Sequence, residues 1–485
     1  MAKRTAVIDI GSNSARMVIY EKTSRFAFHI IHEAKSRVRI SERAYENDGY
    51  LQSEPLNRAY NALKEFKLII QQYKVNKTLC VATSALRDAP NKKAFITLIK
   101  NELHIPIKII SGEEEAYLGG IAAANLLHLN SALSIDIGGG STELALYKDK
   151  KVLQTLSLNL GTVRLKELYF DVNNISGAKE YILHELQKLP SDFNHKNIVG
   201  IGGSLRAISK MIMEKNATYF KKLHGFSYEL GEQRDYFDRL LNANEKELKK
   251  LGVKKERLDV IQPGLLILDL MVQHIKGETM FTSGVGVREG LFLKDLLRSQ
   301  QDRFPHNYNP SSTNLLDRFS QDKKGEIFSH SSRLFDLLSG DLKLDQKYKG
   351  SFLHAIKLSQ IGKEIDFYES HRHAYYLLLN GLNYGFSHKQ TVLISSLVRY
   401  QRKAPPSEIH MQNYKEYLPS FETCRALSFL MRLCIDLFND FEHKGSLKMF
   451  LKKGCLYIEG KETYLLKEKL KDLKKSDLLN IKITS

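Results

Sequence analysis

The chain has 485 residues, of which 42% are hydrophobic and 26% charged. At this length it holds about two to four domains, and its apolar content fills several cores, which excludes a disulfide-stapled scaffold and global disorder. A net charge of +18 favours polyanions as partners: nucleic acid, polyphosphate, highly phosphorylated nucleotides or anionic lipid.

In chain order, the basic start Lys3-Arg4 runs straight into a strand pattern over 5–10 that meets Asp9 after three apolar residues, too short for a signal-peptide core. No apolar run approaches the ~18 residues of a membrane span. The four cysteines, Cys80, Cys424, Cys434 and Cys455, form no CxxC pair and carry no zinc spacing. A reducing, cytoplasmic setting without membrane association is the expectation. Short apolar or alternating runs ending in Gly, Ser or Asp predict strands at 5–10, 16–20, 78–83, 107–110, 132–137, 143–147 and 197–201. Between them, 54–73, 91–103, 113–127, 176–189 and 204–214 have helical length and period, so the first 300 residues read as α/β. The turn-rich stretch from Asp302 to Thr313 predicts a linker. Residues 311–445 read as consecutive helices, and the last forty return to a mixed pattern with a Lys-rich run, 467–475, which is either a solvated face or an electrostatic guide for a polyanion.

Two segments repeat one phrase: Asp9-Ile10-Gly11-Ser12-Asn13-Ser14 and Asp136-Ile137-Gly138-Gly139-Gly140-Ser141. Each closes one strand and opens the next. Glycine lets successive backbone N–H groups converge on an anion, and the hydroxyls add donors. Two such hairpins face to face would hold a phosphate chain, with Asp9 and Asp136 placed to bind a divalent cation. A third glycine turn, Gly200 to Ser204, precedes a helix carrying Arg206, and a fourth, Ser283 to Gly290, holds Arg288; helix N-termini collect anions. Glu113, Glu114 and Glu115 open a helix after the 107–110 strand. In a first turn they suit the helix dipole, and at a cleft one of them can activate a water in line with a terminal phosphorus. With no Cys or His in these turns, direct attack by metal-assisted water is favoured over a covalent phosphoenzyme.

These motifs, with Ala82 to Arg87 and Ile110 to Ala116, together resemble the exopolyphosphatase/guanosine pentaphosphate phosphohydrolase (Ppx/GppA) family over about residues 5–300. The resemblance implies a duplicated actin/Hsp70/hexokinase-like (ribonuclease H-like) α/β fold, with lobes at 1–125 and 126–300 and the active cleft between them. It implies Mg²⁺-dependent removal of the terminal phosphate from inorganic polyphosphate, from guanosine pentaphosphate to give the tetraphosphate, or from both. By motif position Glu115 is the implied base, with Glu114 its competitor because three glutamates blur the register. Asp136, Glu143 and Asp9 are the implied metal ligands. Ser12, Asn13, Ser14, Arg87, Gly138, Gly139, Gly140, Ser141 and Thr142 match the phosphate-contacting turns, and Gly203, Ser204 and Arg288 extend the track.

Residues 311–485 resemble the mainly helical, HD-phosphohydrolase-like domain of longer family members, except that Ser359-Gln360 stands where His-Asp metal ligands would be. A hydroxyl and an amide do not replace imidazole and carboxylate, so no metal hydrolase activity is expected there. That domain offers either a basic track for a polyanion or a homodimer contact; no sequence-specific nucleic-acid partner is expected. The alternatives to a hydrolase are a kinase of the same fold, acetate- or sugar-kinase-like, and a non-catalytic polyphosphate or alarmone sensor.

Overall fold

The computed structural model describes residues 3–44, 46–320, 326–402, 405–438, 448–459, 468–470, 473 and 478–484. The chain divides into two compact units, Met1–Pro310 and Ser311–Ser485.

The first unit begins with β1 (Arg4–Ile10), β2 (Ala15–Lys22), β3 (Phe28–Ser36), α1 (Ser53–Gln72), β4 (Lys77–Ala82), α2 (Ser84–Asp88), α3 (Lys92–Leu98), β5 (Lys108–Ile109) and α4 (Gly112–Leu126). It continues with β6 (Ser131–Ile137), β7 (Thr142–Lys148), β8 (Lys151–Leu158), α5 (Thr162–Leu165), α6 (Ile175–Leu186), β9 (Asn197–Ile201) and α7 (Gly203–Lys215). It closes with β10 (Ser227–Glu229), α8 (Arg234–Leu241), α9 (Glu245–Lys250), α10 (Ile261–His274), β11 (Thr279–Thr282) and α11 (Val287–Leu296).

The strands form two sheets, in the orders β3-β2-β1-β4-β5 and β10-β11-β9-β6-β7-β8. Apart from β10 the second sheet repeats the first: an antiparallel meander whose first strand pairs in parallel with the strand that follows the crossover. Even the irregularities match. The register slips between Ile19 and Tyr20 in one meander and between Leu146 and Tyr147 in the other, and both tyrosines are fully buried. This is the duplicated α/β architecture of actin-like proteins.

Each sheet has its own core. In the first, α1 lays Ala59, Leu63, Phe66 and Ile70 against Ile8, Ile10 and Met17. In the second, α6, α7 and α10 contribute Ile182, Ile208 and Leu265 against Leu133, Ile135 and Leu144. Helices α4 and α11 pack on one another, so tightly that a β-carbon at Gly290 would collide with the Leu118 carbonyl. Leu118, Val81, Ile110 and Val287 form a small core joining the lobes.

Several elements lie where no strong periodicity announced them. β3 and β8 alternate poorly because each is a partly exposed edge strand. The 91–103 helix is α-helical only to Leu98 and continues as a π-helical turn through Leu103. The expected linker from Asp302 is instead fastened to the first unit up to Pro310. Tyr117 Oη donates to the Asp302 carboxylate at 3.0 Å, Asn125 donates to the Asp302 carbonyl at 2.9 Å, and Phe304 N–H donates back to Asn125 at 3.2 Å.

The second unit consists of α12 (Pro310–Phe319), α13 (Glu326–Leu338), α14 (Lys349–Leu358), α15 (Ser370–Gly381), α16 (His388–Arg399), α17 (Glu408–Asn413) and α18 (Phe421–Phe438). A sheet of β12 (Lys448–Lys452), β13 (Cys455–Glu459) and β14 (Asn480–Thr484) follows. Ser359 Oγ donates to the Ile356 carbonyl at 2.9 Å, and the Ser359 carbonyl accepts from the Gln401 side-chain amide at 3.2 Å. The Lys-rich run at 467–475 lies largely outside the described residues. Among the described residues, no helix is long and apolar enough to cross a membrane.

Candidate active site

The two repeated phrases form equivalent turns. In one, Asp9 pairs with Arg16 across the ladder and Gly11 N–H donates to the Ser14 carbonyl at 3.2 Å; in the other, Asp136 pairs with Glu143 and Gly138 N–H donates to Ser141 at 2.9 Å. The turns touch: a β-carbon at Gly139 would stand 2.8 Å from Ser12 Cβ, so only glycine admits this approach. Together they line one cavity of about 200 Å³ whose wall includes Asp9, Ser12, Asn13, Ser14, Asp136, Gly138, Gly139 and Ser141.

Helix starts open onto the same cavity. α7 begins after Gly202, held at φ 95° in the left-handed region, where a β-carbon would also meet the Asp136 carboxylate at 2.7 Å. Its first turn brings Gly203 and Ser204 to the wall. α11 starts at Gly286, whose N–H donates to Glu289 at 2.8 Å, and it presents Arg288. Helix N-termini carry N–H groups without intrahelical acceptors, which suits an anion.

The fourth wall is α4, where Ser111 Oγ accepts from Glu114 N–H and fixes the helix phase. Consecutive residues then point about 100° apart. Glu115 reaches the cavity. Glu114 turns away to Lys108 at 2.6 and 2.8 Å and to Lys294 at 3.3 Å, and although its partial burial opposes ionisation, those ammonium groups hold it below the usual carboxylate range. Of the two glutamates, the structure brings Glu115 to the cavity and not Glu114.

Four carboxylates share a buried environment. Burial first, then the Glu143 charge, raises Glu115 well above the ordinary range, with Arg87 pulling the other way through a 3.2 Å bond. Glu143 is raised by burial and by Asp136, while its Oε1 accepts from Ser157 at 3.0 Å. Burial pushes Asp136 up to about 6 against the Arg206 charge, and raises Asp9 against Arg288 and Arg16. Four expected residues stand behind the wall rather than on it. Arg87 orients Glu115, Glu143 lies beneath Gly138, the Gly140 carbonyl accepts from Arg164 at 2.9 Å, and the Thr142 hydroxyl donates to the Leu160 carbonyl at 2.6 Å. Conversely Lys35, Arg37, Thr162, Glu256 and Arg257 line the cavity although no motif marks them.

Among the described residues no three His, Cys, Asp or Glu side chains converge closely enough to hold an ion. The carboxylates are nevertheless hard oxygen donors, and magnesium is commonly bound by one or two carboxylates completed by phosphate oxygens and water. The donor set fits such an ion.

A duplicated actin-like fold with acidic residues and glycine turns around one cleft defines a phosphoryl-handling protein. The model of the Ppx/GppA phosphatase family matches residues 18–299, and that of Ppx/GppA phosphatase domain III matches 314–484. The chain belongs to the Ppx/GppA phosphatase family. It is similar to the crystal structure of the Aquifex aeolicus family member, at 28% identity and a TM-score of 0.53 over 62% of this chain and 99% of that one. It also shares the fold of an exopolyphosphatase from Cytophaga hutchinsonii, at 21% identity and a TM-score of 0.57 over 62% and 100% of the two chains. The protein is therefore a phosphatase, and the kinase and sensor alternatives fall away.

Proposed function

We propose that the protein is a magnesium-dependent exophosphatase that removes the terminal phosphate of inorganic polyphosphate, and that guanosine pentaphosphate, which ends in the same phosphoanhydride, is a second substrate converted to the tetraphosphate. The observation that carries this reading is Glu115: a buried carboxylate of raised proton affinity, aimed by Arg87 into a cavity walled by two phosphate-sized turns. The +18 charge supports a dense polyanion as the main substrate.

Ser12, Ser14, Ser141 and Ser204, with the backbone of the turns, hold the phosphate oxygens. A water beside Glu115 gives up its proton to that carboxylate as its oxygen bonds to the terminal phosphorus. The bridging P–O bond breaks, and its electron pair stays on the shortened chain. Burial makes Glu115 a stronger base than an exposed glutamate. A magnesium ion held by Asp136, with Asp9 facing it and Glu143 adding negative charge from behind the wall, would neutralise phosphate charge. Glu115→Gln is expected to cut phosphate release by about 10²–10⁴-fold with polyphosphate binding kept. Release at the wild-type rate would end this assignment.

A further inference from the structure

The mouth of the cleft carries a feature that bears on substrate length, and it rests on the polyphosphate reading above. The segment after β3 hangs on the first phosphate turn: Arg39 N–H donates to the Asn13 carbonyl at 3.0 Å, and Ser41 donates to the Ser12 carbonyl through its N–H at 3.4 Å and its hydroxyl at 3.3 Å. Opposite it, in the other lobe, lies the segment 255–259. Arg39 donates to Asp259 Oδ2 at 3.1 Å, with Glu42 a more distant neighbour at 3.9 Å. Arg37 stands 3.6 Å from the same oxygen and donates to the Glu256 carbonyl at 3.2 Å. Arg37, Glu256 and Arg257 all line the cavity, and Arg257 packs over Gly203 at the start of α7.

This bridge carries backbone strain at one end and an unsatisfied oxygen at the other. Arg39 sits at φ 45°, a left-handed conformation that a side chain larger than glycine adopts at a cost and that concentrates at ligand clamps. Asp259 Oδ1 is buried without a hydrogen-bond partner among the described residues, while Oδ2 faces both arginines. The paired groups are 39% and 31% exposed, so water screens their attraction and an incoming anion displaces it readily.

We propose that Asp259 is a built-in competitor of the substrate: it holds Arg37 and Arg39 across the cleft mouth until a phosphate chain long enough to reach them takes its place. A short chain that fills only the catalytic turns leaves the bridge closed and gains nothing from those arginines. A long chain exchanges its own phosphates for the Asp259 carboxylate. Asp259 thereby sets how strongly the enzyme prefers long chains.

Steady-state kinetics with long-chain polyphosphate and with tripolyphosphate on wild type, Asp259→Asn and Arg39→Gln test this. Asp259→Asn should lower KM for the long chain by about two- to fivefold, the scale on which a partly exposed ion pair competes, leaving kcat and the tripolyphosphate KM unchanged. Arg39→Gln should raise the long-chain KM. If Asp259 and Arg39 merely brace the lobes, both substitutions move kcat in the same direction for both substrates, and the proposal is overturned. Should wild type release no phosphate from polyphosphate, the functional reading fails separately. Equilibrium titration of long-chain polyphosphate then still decides the competitor, an unchanged Kd in Asp259→Asn refuting it and a lowered one supporting it.

Discussion

A single step along α4 separates Glu114, paired with two lysines, from Glu115, pressed against other carboxylates and one arginine. The triple glutamate left the register open in the sequence because helix starts are not legible to one residue; the Ser111 cap settles it. Strand alternation does the same on the other wall, sending Ser141 to the cavity and Thr142 to the Leu160 carbonyl. The arginines of the mouth sit in loops of no recognisable pattern, so only the folded chain brings them together. Two outcomes follow at this scale. Glu114→Gln should leave phosphate release within about twofold of wild type, since its charge is already neutralised by partners outside the cleft. Arg87→Ala removes the charge that most lowers the Glu115 pKa. On the proposed reading Glu115 must be deprotonated to act, so the acidic limb of the kcat/KM profile should move to higher pH, with activity lost most at low pH.

Helices α4 and α11 bring Glu115 and Arg288 to one cavity, and their crossing depends on a residue without a side chain. Gly290→Ala would drive a methyl into the Leu118 backbone; a shift of packed helices should destabilise the first unit by about 2–3 kcal/mol, read as a lowered thermal midpoint. Gly231→Ala, with nothing within 4 Å of the new methyl, is the control and should unfold close to wild type. The duplicated hairpins were legible in the sequence because their turn chemistry is local. The edge strands β3 and β8 were not, because sheet pairing supplies what their weak alternation lacks.

Across the whole molecule, charge and protonation are the levers. The +18 surface should make the long-chain KM rise with ionic strength more steeply than that of tripolyphosphate, because a longer anion meets more screened charges. In the second unit, burial holds His354 and His410 down at about 4, helped by Lys357 and Arg399 respectively. Unfolding restores an ordinary value near 6.5, so between those limits the unfolded chain binds more protons and stability falls as pH drops. The calorimetric midpoint of this unit should decline from about pH 6.5 towards 4, and His410→Gln should flatten that decline.

One rung of the two matching ladders breaks the molecule's symmetry: Arg16 faces Asp9, whereas Glu143 faces Asp136. On the proposed reading, a chain offered under chelation is clasped by the cations of the cleft, Arg16, Lys35, Arg37 and Arg257 among them, while its end is repelled by carboxylates left without their ion. It should persist there as a plug, protecting the cleft from a second, labelled chain until divalent ions are restored.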